Sequence, residues 1–348
     1  MTPIMNLQEL VRPNILNLAP YTCARNEYSG EARAWLDANE NSRIEGLNRY
    51  PDPLQLEVKR RIGTLRRVSP DNIFLGVGSD ECIDICYRVF CRPGTDNVVA
   101  IDPTYGMYKV CADINDIEYR TVPLNTDYTL DVERLLAATD AKTKVLWICS
   151  PNNPTGNAFP RAQLHDIAHR FHGITVIDEA YVDFSPEGSM LPLLDELPRM
   201  IVMQTFSKSW ASAAMRLGIA YASPEIINIF NKVKYPYNIN ILTQHEALRV
   251  LAGIDRIKDV VNELIAARDM LANRLASLAC VVKVHRSDAN FLLVEFTDAD
   301  AMYRRLKDDG VIVRNRSRVN LCGNCLRITI GSDDENELLI EKISRHGA

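Results

Sequence analysis

Short apolar runs alternate along the chain with stretches whose apolar residues recur every three to four positions. The runs at 73–75, 97–101, 117–122, 144–149, 174–177 and 201–203 predict strands. Helical spacing predicts helices over 54–65, 78–90, 107–112, 130–137 and 163–171. In Lys144-Val-Leu-Trp-Ile-Cys149 nearly every position is apolar, which predicts a strand covered on both faces, as in a largely parallel sheet flanked by helices. After Ala222 the texture changes. A helix over 224–234 and a break at 235–240 lead into one long helical region, 243–279. Strands at 281–285, 291–296, 311–313 and 326–330 follow, with helices over 298–309 and from Asp334. Pro3, Pro13 and Pro20 keep the first thirty residues from forming a long helix. The pattern predicts an N-terminal arm (1–30), a large α/β domain (31–245) and a small α+β domain (246–348).

With 348 residues, the chain can give both domains a core. A net charge of −5 without any basic block argues against nucleic acid or an anionic membrane as partner, and no apolar run approaches the ~18 residues of a membrane span. Asn6, Gln8, Glu9 and Arg12 deny the N-terminus the apolar core of a signal peptide, so the nine scattered cysteines read as reduced thiols of a cytoplasmic protein. Cys322-Gly-Asn-Cys325 is a lone CxxC, and His165, His169 and His172 flank an apolar helical stripe. No metal site is expected from either.

Candidate chemistry gathers at one end of the predicted strands: Ser79, Tyr105, Asn153, Asp178 and Lys208 each follow a strand, where open α/β sheets bind ligands. Gly76-Val-Gly78-Ser-Asp-Glu81 resembles a dinucleotide fingerprint only superficially, because Glu81 stands where GxGxxG has its third glycine, and a nicotinamide fold is disfavoured. The amides of Gly78-Ser79-Asp80 at a helix N-terminus still suit a phosphate, although Ser79 also fits a plain helix cap. Lys208 lies between two serines with Arg216 eight positions on. Desolvation and that cation would both depress its amine toward the neutral form that condenses with an aldehyde. Ser207 and Arg216 offer a hydroxyl and a guanidinium fork for a phosphate. Each residue alone has a plainer reading, whether a helix cap for Asp178, a turn for Asn153 or half-buried aromatics for Tyr105 and Tyr181. Their joint order favours a lysine that carries pyridoxal phosphate (PLP).

Tyr50, Gly78-Ser-Asp-Glu81, Tyr105, Pro151-Asn-Asn-Pro-Thr-Gly156, Asp178-Glu-Ala-Tyr181, Ser207-Lys208 and Arg216, in that order, resemble the fold-type-I PLP aminotransferases. Leu36-Asp-Ala-Asn-Glu40, Arg49-Tyr-Pro-Asp52, Asp102-Pro-Thr-Tyr-Gly-Met-Tyr108, Pro236-Tyr-Asn-Ile-Asn240 and Cys325-Leu-Arg-Ile-Thr329 narrow the resemblance to the histidinol-phosphate aminotransferases of histidine biosynthesis. Asn41-Ser42 departs from the proline often found there, which bears on loop stiffness. The resemblance implies a mostly parallel seven-stranded sheet covered by helices, a smaller C-terminal domain and a homodimer. Lys208 would carry the cofactor, Asp178 pair with its ring nitrogen, Asn153 and Tyr181 bond its phenolic oxygen, and Tyr105 stack on its ring. Ser207, Arg216 and the amides of Ser79 and Asp80 would hold its phosphate, joined by Tyr50 from the partner subunit. Tyr21, Asn153, Arg314 and Arg327 would hold the phosphate of the substrate, while Arg316 and Arg318 read as solvated charge. Glutamate and 2-oxoglutarate would be the co-substrate pair. An aromatic or other amino-acid aminotransferase, a threonine-phosphate decarboxylase-like enzyme, or a PLP-binding module without turnover are the alternatives on the same scaffold.

Overall fold

The structure, a computed structural model, describes residues 6–28 and 32–347. Its larger sheet holds β1 (Ile73–Val77), β2 (Asn97–Asp102), β3 (Glu118–Pro123), β4 (Thr143–Cys149), β5 (Ile174–Asp178), β6 (Met200–Thr205) and β7 (Leu217–Tyr221). They lie in the order β1-β7-β6-β5-β4-β2-β3, and β7 alone runs antiparallel to its neighbours. Six of these strands match the predicted runs to within two residues at either end. β7 is the addition: Leu-Gly-Ile-Ala-Tyr is short, and its glycine interrupts the pattern that marks the others.

Every residue of β4 is buried, and its side chains divide by parity. Val145, Trp147 and Cys149 enter one apolar layer with Val98, Val176, Ile201 and Ala220, under the helices Gly78–Phe90 and Pro224–Val233. Leu146 and Ile148 enter the opposite layer with Val99, Ile177, Val202 and Ile219. At about 1.5–3 kcal/mol per buried aliphatic side chain, two filled layers hold the strand ends rigidly. The site is built on those ends.

The smaller sheet is antiparallel throughout, in the order β10-β11-β9-β8: β8 (Val281–Val284), β9 (Phe291–Phe296), β10 (Arg314–Asn315) and β11 (Cys325–Thr329). Helices Ala299–Asp308 and Asp333–Gly347 cover it. Residues 311–313 do not form the expected strand. Gly310 (φ 81) reverses the chain, and the Val311 N–H closes the preceding helix onto Leu306 O, so pairing starts only at Arg314. The long helical region is two helices, Ile241–Ala252 and Ile254–Ala276, which meet at Gly253. The expected boundary at 245/246 falls inside the first of them, and residue 31, where the large domain was expected to begin, lies outside the described residues. The arm carries three single-turn helices, Leu7–Leu10, Pro13–Leu16 and Ala24–Glu27. Among the described residues no helix is long and apolar enough to cross a membrane.

Candidate active site

A cavity of about 360 Å³ opens at the carboxyl ends of β4, β5 and β6, and the arginines of β10 and β11 close its far side. Ser79, Asp80, Tyr105, Asn153, Asp178 and Tyr181 line it, and so do Ser207, Lys208, Arg216, Arg314 and Arg327. Eleven of the thirteen residues singled out from the sequence thus meet in one place.

Asp178 ends β5 almost without solvent contact, at 3 % exposure. Its carboxylate accepts from the Tyr108 hydroxyl at 2.6 Å and the Ala180 N–H at 3.1 Å. Burial pushes its pKa up, against the pull of both donors. Such a carboxylate lacks a cation, and a protonated ring nitrogen would supply one. Lys208 sits beyond β6, its Nζ 5.7 Å from the centre of the Tyr181 ring. Burial, then the Arg327 guanidinium, and less strongly Arg216, press its amine below the ordinary value, while Asp178 pulls the other way. The depression expected from the sequence is present, but the second cause is an arginine from the other sheet rather than mainly Arg216.

Backbone geometry shapes the phosphate end. The helix Gly78–Phe90 has Val77 as its N-cap, with no side-chain cap. Glu81 Oε2 takes the Val77 N–H at 2.5 Å, and Ser79 lies inside the first turn, lining the cavity, instead of serving as the cap. Arg216 adopts a left-handed conformation (φ 51) that returns its guanidinium to this helix end, where Nη2 donates to Asp80 Oδ2 at 3.2 Å. The Tyr105 hydroxyl donates to the other Asp80 oxygen, also at 3.2 Å. Glycine is required here: a Cβ on Gly218 would stand 2.2 Å from Ser79 N, and one on Gly78 (φ 71) would stand 2.7 Å from Arg216 Nη2. Ser79 and Asp80 of the first turn, Ser207 and Arg216 all line the cavity, a set of residue types and a helix end that would suit a phosphate. PLP meets a matching amine, carboxylate and anion cradle.

Across the cavity, Arg327 donates to Asn153 Oδ1 at 2.5 Å, and Asn153 Nδ2 donates to the Tyr181 hydroxyl at 3.4 Å. Arg314 lies directly opposite Arg327 in the β10/β11 pair. Arg316, expected to be solvated, also lines the cavity, whereas Arg318 is exposed. Tyr21 and Tyr50 are elsewhere. Tyr21 is 73 % exposed on the arm, and Tyr50 is half-exposed, its ring stacked on Tyr237 at 4.5 Å beside a separate hollow formed with Glu40 and Leu242.

Two contributors carry no role in the sequence-based reading. Tyr108 follows Tyr105 by one helical turn, and its ring is fully buried and stacked on Trp147 at 4.8 Å. Helical spacing from Tyr105 is the signal that marks it. Asp183 accepts from Ser209 Oγ (2.5 Å), Trp210 Nε1 (3.1 Å) and Arg66 Nη2 (2.9 Å), pinning the two residues that follow Lys208. No local pattern announces that contact across 26 residues.

Residues 14–343 match the family model for aminotransferase class I and II. Histidinol-phosphate aminotransferase of Bacteroides thetaiotaomicron is 50 % identical over 341 residues, covering 98 % of this chain and 99 % of that protein. Among solved structures, histidinol-phosphate aminotransferase from Clostridium acetobutylicum superposes with a TM-score of 0.80 at 20 % identity (86 % of this chain, 91 % of that one), which shows the shared fold. The Sinorhizobium meliloti enzyme of the same name, in complex with pyridoxal-5'-phosphate, gives 0.78 at 25 % identity (85 % and 82 %). Matched over almost its whole length, the chain belongs to the class I and II aminotransferases.

Proposed function

We propose that the chain is a PLP-dependent transaminase that interconverts L-histidinol phosphate and 2-oxoglutarate with imidazole acetol phosphate and L-glutamate, in L-histidine biosynthesis. The observation that carries the substrate is the second anion site: Arg314 and Arg327 face the cavity opposite the Arg216 end, and neither is ion-paired with any described residue. One end suits the phosphate of the cofactor and the other the phosphate of the substrate. The 50 % identity to a protein named for this reaction supports the same choice.

When bound, PLP supplies an aldehyde for the amine and a ring that accepts the electron pair left by the α-proton. Lys208 Nζ would hold the cofactor through its aldehyde carbon and, when free, would take the proton from the substrate α-carbon. The lowering of its pKa by burial and by Arg327 increases the neutral fraction of the amine, the form both tasks use. Asp178 would pair with a protonated ring nitrogen, and the Tyr108 hydroxyl favours the ionised form of Asp178 against the pull of burial. Tyr181 and Asn153 would orient the phenolic oxygen, and Tyr105 would stack on the ring. Ser207, Arg216 and the amides of Ser79 and Asp80 hold the cofactor phosphate, with Arg216 shared with Asp80. Arg314, Arg327 and Asn153 hold the substrate phosphate or, in the second half-reaction, the distal carboxylate of the oxo acid.

The working unit is a homodimer. Neither Tyr50 nor Tyr21 lines the cavity of its own chain, and Tyr50 borders a hollow with exposed Leu47 and Leu242, a surface suited to a second copy that would receive Tyr50 at its cofactor phosphate and Tyr21 at its substrate. Nine free cysteines, all buried, fit a reducing cytoplasm.

The test follows the visible absorbance of the PLP-loaded protein. L-Histidinol phosphate should bleach the band of the lysine-bound cofactor, and 2-oxoglutarate should restore it. Lys208→Ala should show no such band and lose at least ~10³-fold in turnover. Bleaching by tyrosine or phenylalanine but not by histidinol phosphate would replace the substrate, and release of carbon dioxide from threonine phosphate would replace the reaction.

A further inference from the structure

We propose that Arg316 is a third cation of the substrate subsite and sets its preference for a dianionic phosphate over a monoanionic carboxylate. The proposal rests on the functional reading above and adds a residue to it.

Three observations carry it. Arg316 continues the edge of β10: its N–H donates to Cys325 O at 2.8 Å, and strand alternation puts its side chain on the same face as Arg314. Arg314, Arg316 and Arg327 therefore line one wall of the cavity. None of the three forms an ion pair with a described residue, whereas most other buried or half-buried arginines do, among them Arg25, Arg66 and Arg268. Arg316 Nε is buried without any hydrogen-bond partner.

Such a cluster is costly in the empty protein. Like charges opposed across a strand pair repel, and a partly desolvated guanidinium with no partner loses hydration without recompense. Burial, then Arg327 and Arg314, bring the pKa of Arg316 down to about 10, which leaves it charged at neutral pH but held against its neighbours. An incoming anion relieves that repulsion. Coulomb attraction scales with ligand charge, so a dianion gains about twice what a monoanion gains from the same third cation. Two arginines already balance a phosphate dianion. With the third, the wall over-matches a carboxylate and favours the phosphate.

The experiment compares wild type with Arg316→Gln, Arg316→Lys and, as a control of equal charge change at an exposed neighbour, Arg318→Gln, all loaded with PLP. KM for histidinol phosphate and for 2-oxoglutarate is measured at pH 5.5 and pH 8, and the urea midpoint without substrate. Arg316→Gln should raise KM for histidinol phosphate roughly 10- to 100-fold at pH 8, the worth of a charge-assisted hydrogen bond. KM for 2-oxoglutarate should rise by only about the square root of that factor. Its urea midpoint should stay or rise, because a repelling charge is removed; a structural residue would lower it. Substrate phosphate becomes dianionic as pH rises through about 6, so wild-type KM should fall between pH 5.5 and 8 more steeply than that of Arg316→Gln. Arg316→Lys should recover part of the loss and keeps the comparison available if the glutamine variant does not fold. Arg318→Gln should change none of these. Equal factors for the two substrates, an unchanged KM, or the same response from Arg318→Gln would overturn the proposal while leaving the transaminase reading intact. A wild type that ignores histidinol phosphate would sink both.

Discussion

Tyr108→Phe tests the buried electrostatics of the site most directly. Asp178 has two hydrogen-bond donors, and the shorter bond, 2.6 Å, comes from the Tyr108 hydroxyl. The Tyr108 ring is stacked 4.8 Å from Trp147, so phenylalanine keeps the packing and removes one oxygen. A hydrogen bond to a charged group contributes about 1.5–3 kcal/mol, or roughly 10- to 150-fold in an equilibrium. At 3 % exposure Asp178 has little access to replacement water, which favours the upper half of that range. The sign follows from the direction of the shift. Burial already raises the Asp178 pKa above 3.8, and the hydroxyl opposes that rise, so its removal raises the pKa further. A carboxyl raised on folding contributes most stability below its unfolded pKa and loses that contribution as pH rises through the folded value. Without PLP, the stability gap between wild type and Tyr108→Phe should therefore widen from about pH 4 to pH 8 in urea titrations. With PLP, a carboxyl that ionises less readily should pair less well with a protonated ring nitrogen, lowering cofactor affinity roughly 10- to 100-fold, read from the visible band on dilution. A gap independent of pH, with cofactor affinity within twofold of wild type, would refute the assignment and reduce Tyr108 to packing.

Gly218→Ala should push the first turn at Ser79 outward, costing about 1–3 kcal/mol of overpacking and weakening PLP binding; the urea midpoint and cofactor titration check it, and unchanged PLP affinity would mean those amides are not used. Asp183→Asn should strand Arg66 and loosen Ser209 and Trp210 beside Lys208. A buried pair broken on one side costs about 3–5 kcal/mol, and the one-fifth exposure of both side chains points to the lower end. A pH titration of the visible band should shift as well, and a stability loss without that shift would confine Asp183 to structure. Tyr50→Phe should leave the urea midpoint within about 0.5 kcal/mol of wild type yet raise the PLP dissociation constant roughly 5- to 10-fold. No change in PLP affinity would argue against a contact across the subunits.

The part of this design legible in the sequence is the part written locally. β4 is apolar at almost every position, and its two-sided burial follows directly; the polar turns after β4, β5 and β6 stand out because nothing in packing calls for them. β7 is harder to see because its strand character comes from pairing with both β1 and β6 rather than from its own five residues. The strand expected at 311–313 shows the converse, since an apolar run without a ladder partner makes no strand. Arg316 read as solvated because charge alone does not report which way a strand edge faces; only the pairing of Arg314 with Arg327 fixes that parity. Asp183 was hidden for the same reason, as its partners lie 26, 27 and 117 residues away.

The two sheets divide the work along a physical line. Asp178 and Lys208 follow strands packed on both faces, where a side chain shifts only if two filled layers shift with it. That rigidity suits a cofactor whose ring nitrogen and reactive carbon must be held within fractions of an ångström. Arg314 instead sits on a two-residue strand at the edge of the second sheet and Arg316 directly follows it, Arg314 exposed and Arg316 half-buried. An edge of that kind tolerates changes of charge and side-chain length that the β4–β6 ends do not. One scaffold can therefore keep the same proton chemistry at Lys208 while the arginine wall is altered to admit a different anion. On this reasoning, substitutions at Arg314 and Arg316 should act on the relative KM values of the two substrates, and substitutions at Tyr108 and Asp178 on the cofactor itself. Arg327 belongs to both groups, because it meets Asn153 on the cofactor side and presses directly on the Lys208 amine. An anion bound by that guanidinium would offset its part in lowering the Lys208 pKa and leave burial, the larger cause, in place.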